Sequence, residues 1–148
     1  MKTKVALALL AAAVLSTWAA AAPDVEMVPP IVRSGLDRYK LDGAQAAITA
    51  WMVGSPIALT EEPERQLRAL RQFEGTFGKY LDFHVIRIAT ISETAQMVYV
   101  QLDYLNGPAF GKFLAYEANG TWKVVRFNFG ADPEAVWGLS LFSAPDMS

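Results

Sequence analysis

Apolar and polar positions alternate along this chain with two different periods, and the change of period divides it into a helical half and a strand half. Ile31, Val32, Leu36 and Tyr39 recur at helical spacing and predict a helix from Ile31 to Lys40. Asp42 stands where an N-cap is expected, with Gln45 three residues on in the capping-box position, so a second helix is expected from about Gly43 to Val53. Its inner face is Ala47, Ile48 and Trp51, and Gly54-Ser55-Pro56 ends it. Thr60 then caps a third helix. Acidic Glu61, Glu62 and Glu64 favour its first turn, Leu67, Leu70, Phe73 and Phe77 form its buried stripe, and Arg65, Arg68 and Arg71 face water. Gly75 and Gly78 weaken its end.

From Leu81 the period becomes two. Residues 81–91, 95–105, 109–118 and 121–130 are rich in Val, Ile, Phe and Tyr and read as four strands. Ser92-Glu93-Thr94, Asn106-Gly107-Pro108 and Asn119-Gly120 separate them, the last being a strong hairpin signal. Asp132-Pro133 opens a final short helical turn, after which Leu139, Leu141 and Phe142 are expected to dock on the sheet. The predicted class is α+β, with helices first and an antiparallel meander after them.

Register decides which strand face is the core. Pairing Ala118 with Thr121 sets Leu114 against Val125, Lys112 against Phe127 and Phe110 against Phe129. A three-residue loop at Asn106 to Pro108 then adds Val98, Val100, Leu102 and Tyr104 to that face. A two-residue loop would place Tyr99, Gln101 and Asp103 there instead, because a one-residue slip exchanges the faces. The first register is preferred, since it gives one strongly apolar face. Its opposite face carries Met97, Tyr99, Phe113, Ala115, Trp122 and Val124, and an apolar patch of that size points to a homodimer through Met97, Tyr99, Phe113, Trp122 and Val124.

The first residues read as an address. Lys2 and Lys4 precede an Ala/Leu/Val run from Val5 to Leu15, and Ala19 and Ala21 satisfy the small-residue rule for cleavage after Ala21. Residues 1–21 are thus expected to be a signal peptide, 22–30 a flexible tether and 31–148 a single domain. The apolar run is shorter than the roughly 20 residues a membrane span needs. Export implies a periplasmic or extracellular protein with no membrane attachment after cleavage. Eleven basic and fifteen acidic residues remain beyond residue 21, a net charge of −4 that disfavours nucleic-acid binding. The chain has no cysteine and one histidine, so a disulfide framework, a thiol nucleophile and a His-rich metal site are all excluded. No cofactor-binding motif is present.

Three helices followed by a four-stranded antiparallel sheet over about residues 31–130 resemble the nuclear transport factor two-like superfamily. The stretches that carry the resemblance are Ala47 to Pro56 with Trp51, the Phe77-Gly78-Lys79-Tyr80 corner, the Asn106-Gly107-Pro108 turn and Gly120-Thr121-Trp122-Lys123-Val124. More narrowly, the chain looks like small exported bacterial members without assigned activity. The resemblance implies a cone, with helices on the concave face of a curved sheet and an apolar pocket inside. It also implies enzymes and non-enzymatic binders alike, so it does not choose a function.

Two functional readings follow. One is a non-catalytic exported domain that binds a small apolar ligand or a protein partner, with Tyr39, Trp51, Phe77, Tyr104, Lys112 and Phe127 lining the pocket. Lys112 there either greets an acidic ligand at the mouth or lays its stem over apolar surface with its amine in water. The alternative is a lyase, isomerase or hydrolase acting on a small apolar substrate. Its candidates are His84, Asp82 and Tyr80: two residues apart on one strand, Asp82 and His84 share a face, and an Asp can orient an imidazole for base work. The competing explanation is an ordinary strand pair facing water.

Overall fold

The computed structural model describes residues 25–138. The signal peptide, the first residues of the tether and the docking of Leu139, Leu141 and Phe142 lie outside the described residues. Helices α1 (Pro30–Asp42), α2 (Ala44–Trp51) and α3 (Glu62–Phe77) precede strands β1 (Tyr80–Ser92), β2 (Ala95–Tyr104), β3 (Gly107–Ala118) and β4 (Thr121–Gly130). A short α4 (Pro133–Trp137) follows, its N-terminus capped by the Asp132 carboxylate, which accepts from the Glu134 N–H. The strands form one curved, unclosed antiparallel sheet in sequence order. The class is α+β, as the change of period predicts.

Local chemistry departs from expectation at three helix ends. Residues 25–30 are not a loose tether, because Val25–Met27 form a 3-10 turn and Val28 is buried in the core. Asp42 does not cap α2. It closes α1, and Gly43 at φ 94° turns the chain between the two helices. Thr60 is not the N-cap of α3: Glu61 holds that position without a side-chain cap bond, and the Thr60 hydroxyl serves the turn before it, accepting from the Glu62 N–H while donating to the Ile57 carbonyl.

The helix layer covers one sheet face. Trp51 is wholly buried between α1 and the sheet, its indole N–H donating to the Val32 carbonyl at 2.9 Å. Gly35 makes this approach possible, since a Cβ at that position would lie 2.0 Å from Trp51 Nε1. Two buried polar side chains tie this layer to the free edge of β4: the Ser55 hydroxyl donates to the Val124 carbonyl, and the Gln66 carbonyl accepts from the Phe129 N–H at 3.0 Å. Such ties supply partners to an edge strand that would otherwise offer unpaired groups.

The sheet register corrects the expected core. Tyr104 pairs with Gly107, so the β2–β3 connection has two residues, Leu105 and Asn106, and Val98 stands opposite Phe113. The turn is pulled in by the corner beneath it, where the Leu105 and Asn106 N–H groups donate to the carbonyls of Lys79 and Phe77. The Phe77 ring lies where a side chain on residue 107 would be, which only glycine permits. In β4, a bulge inserts Val125, so that Ala115 faces Val124 but Leu114 faces Arg126. β3 is therefore inverted relative to expectation. Ala109, Phe113 and Ala115 are buried, with Val124, Phe127 and Phe129 beside them, while Phe110, Lys112, Leu114 and Tyr116 lie on the outer face. Val98, Val100, Leu102 and Tyr104 are in the core as expected.

Candidate functional site

The expected site residues separate into three places. The first is a knot of tyrosines in the core. Tyr39 stacks on Tyr80 with ring centroids 3.9 Å apart, and its hydroxyl shares a hydrogen bond with that of Tyr104 at 3.0 Å. Phe73 and Phe77 pack against Tyr104. Burial pushes all three phenols above the ordinary tyrosine range. The hydrogen bond to Tyr104 adds to the rise at Tyr39, and the bond from Tyr39 partly offsets it at Tyr104. The Tyr80 hydroxyl is buried and has no hydrogen-bond partner among the described residues. The second is an aromatic stack of Trp51, Phe113, Phe127 and Phe129, with centroids 4.9 to 6.3 Å apart. Tyr39, Trp51, Tyr104 and Phe127 thus contact other core rings, and this interior is packed as a core rather than arranged round a ligand.

The third place is the outer sheet face. Asp82, His84, Gln101 and Asp103 meet there, because β1 pairs with β2 in a register that sets Asp82 against Asp103 and His84 against Gln101. His84 Nε2 lies 2.6 Å from one Asp103 oxygen, and the Gln101 amide donates to the other at 2.8 Å. Asp82 instead forms an ion pair with Lys40 at 3.6 Å. Tyr80 points to the core side. The expected trio of Tyr80, Asp82 and His84 is therefore not brought together: the residue that orients His84 is Asp103, and the imidazole is 57% exposed.

The outer face also holds a cleft of about 560 Å³ that runs over the β4 edge toward the loop before α3. Met97, Leu114 and Val125 form its apolar floor, and Ile57 and Phe127 complete the apolar wall. Lys112, Arg126 and Asn128 supply its polar side. Cross-strand pairing puts Lys112 opposite Asn128 and Arg126 opposite Leu114, so the two cations are diagonal neighbours. Neither has an ion-pair partner among the described residues. Glu62 reaches the cleft as well, but its carboxylate is engaged by Arg65 and by the Gln66 amide. The cleft lies between the two ties to β4, and the bulge residue Val125 is part of its floor. Of the expected ligand residues, Lys112 and Phe127 reach it.

Ile57, Val125, Arg126 and Asn128 were not legible as site residues. For the three in β4 the signal is the bulge, which no pattern in Trp122 to Phe129 announces, and Ile57 lies in the loop before α3, outside any periodic segment. Among the described residues no group of three or more His, Asp or Glu side chains is placed to hold a metal, and no helix is long and apolar enough to cross a membrane. No protein-family model, no curated protein and no solved structure matches the chain.

Proposed function

We propose that this is an exported, non-catalytic binding domain with a cone-like fold of the nuclear transport factor two-like kind, and that it takes a small ligand of apolar body in the cleft over the β4 edge. The observation that carries the reading is the cleft itself. Its volume falls in the range of small-molecule sites, and its apolar floor with a few polar groups on one side is how such sites are built. The order of helices and strands supports the cone-like fold. The charged, apolar and small-residue order of residues 1–21 supports export. The exposed position of His84, together with the ion pair that occupies Asp82, favours binding over the lyase, isomerase or hydrolase alternative.

Titration with Nile red, a neutral apolar dye, tests the proposal. Saturable binding of one dye per chain is expected, lost in Leu114→Asp and kept in Leu81→Asp, which changes an exposed residue of β1. An absence of saturable binding, or binding indifferent to Leu114→Asp, overturns it.

A further inference from the structure

We infer that the cleft selects a small amphipathic anion, an alkyl carboxylate or its like, with the charged head held by Lys112 and Arg126. The inference rests on the proposed ligand cleft and adds the chemistry of its occupant. Two cations flank one another on a sheet face whose nearest carboxylates are committed elsewhere. Asp103 holds His84 and Gln101, Glu62 holds Arg65, and Asp82 holds Lys40. One row carries Arg87, Tyr99, Lys112 and Asn128 across all four strands, and the next carries Ala89, Met97, Leu114 and Arg126. The outer face is therefore cationic along one row and apolar at the centre of the next. The chain as a whole has a formal net charge of −2, so this positive spot runs against the molecule's own balance.

Like cations side by side repel, and a fold gains nothing from setting them together beside Met97, Leu114 and Val125. A monoanion between them removes the repulsion. The planar guanidinium of Arg126 suits a two-oxygen head, Lys112 adds a point charge, and Asn128, which pairs with Lys112 across the strands and lines the same cleft, brings an amide donor. The alkyl body then lies on Leu114 and Met97 toward Ile57. A neutral ligand leaves both cations unanswered, and a cationic one adds a third like charge.

Three ligands with one tail and different heads separate the possibilities. Decanoate, decanol and decyltrimethylammonium are titrated as monomers against the Nile red complex. Decanoate is expected to bind about tenfold tighter than decanol, and decyltrimethylammonium weakest. Decanoate affinity should fall with added salt. Lys112→Met and Arg126→Met should each weaken decanoate about threefold to tenfold and narrow its lead over decanol, while circular dichroism reports an intact fold. Equal affinity for decanoate and decanol overturns the inference and leaves the ligand cleft standing. Failure of Nile red and of all three ligands overturns both. Sedimentation with phosphatidylglycerol vesicles without decanoate binding also overturns it, since the cations then meet a lipid surface and not a free amphiphile.

Discussion

Tyr39, Tyr80 and Tyr104 touch one another in the core, yet their hydroxyls stand in unequal positions. Tyr39 and Tyr104 satisfy each other, and Tyr80 Oη has no partner among the described residues. A buried hydroxyl without a hydrogen bond costs about 1–3 kcal/mol relative to one that is paired. Tyr80→Phe removes that burden and keeps the stacked ring, so it should raise stability by about 1 kcal/mol. Tyr39→Phe strands the Tyr104 hydroxyl and should lower stability by about 1–2 kcal/mol. Urea midpoints for the two variants should move in opposite directions. The same burial governs the response to alkali. Below about pH 10 folded and unfolded chains both keep these phenolic protons, and stability is indifferent to pH on their account. Above that, the unfolded chain releases them while the folded chain, its phenols raised by burial, retains them. Stability then falls as pH rises, by at most about 1.4 kcal/mol per unit for each tyrosine. Absorbance at the tyrosinate band should report these three only as the protein unfolds. Ionisation of all three in a chain that keeps its native circular dichroism would contradict the packing described.

Among elements, the junction of α1 and α2 shows how packing overrides propensity. Glycine inside a helix usually costs about 0.5–1 kcal/mol against alanine. Gly75, in α3 with nothing near its missing side chain, obeys that rule, and Gly75→Ala should raise stability by about that amount. Gly35→Ala should do the reverse. The added methyl meets the Trp51 indole, and moving the indole breaks its bond to Val32. Overpacking of this kind costs about 1–3 kcal/mol before the lost hydrogen bond is counted, so a net loss of about 2 kcal/mol or more is expected from thermal unfolding. The helix stripes around this junction were legible because Val32, Leu36, Ala47, Ile48 and Trp51 repeat with the period of the element they belong to. The strands were legible for the same reason, and so was the inward face of β2. The face of β3 was not. Its sign depends on a turn length set by contacts with Lys79 and Phe77, and on an extra residue at Val125, neither of which a period of two can register. The turn moves the β2–β3 register by three residues and the bulge moves the β3–β4 register by one; each is odd and inverts the faces once, which is why Phe127 and Phe129 fall in the expected core although Phe113 and Leu114 exchange sides. The cleft went unseen for that reason: its floor includes the residue that breaks the pattern.

At the scale of the whole molecule, the corrected register also changes how copies of the chain can meet. The homodimer expected from the sequence relied on Met97, Tyr99, Phe113, Trp122 and Val124. Phe113 and Val124 are fully buried, Trp122 packs against the same core, and of the five only Met97 and Tyr99 remain on the outer face. Phe110 does not replace them, because the Trp137 ring of α4 stands edge-on to it at 4.9 Å. What is left is a half-apolar surface crossed by Arg87, Lys112 and Arg126. Two copies joined about a twofold axis would set this surface against itself, and cations near the axis would face cations. The desolvation and repulsion of such a contact oppose its formation. Light scattering at micromolar concentration should therefore return the mass of a single chain, both with and without added decanoate. A stable dimer whose formation protects Met97 and Leu114 from solvent labelling would place a partner where the ligand is proposed to sit. The cleft would then be one half of an interface, and the binding function would have to be sought elsewhere on the fold.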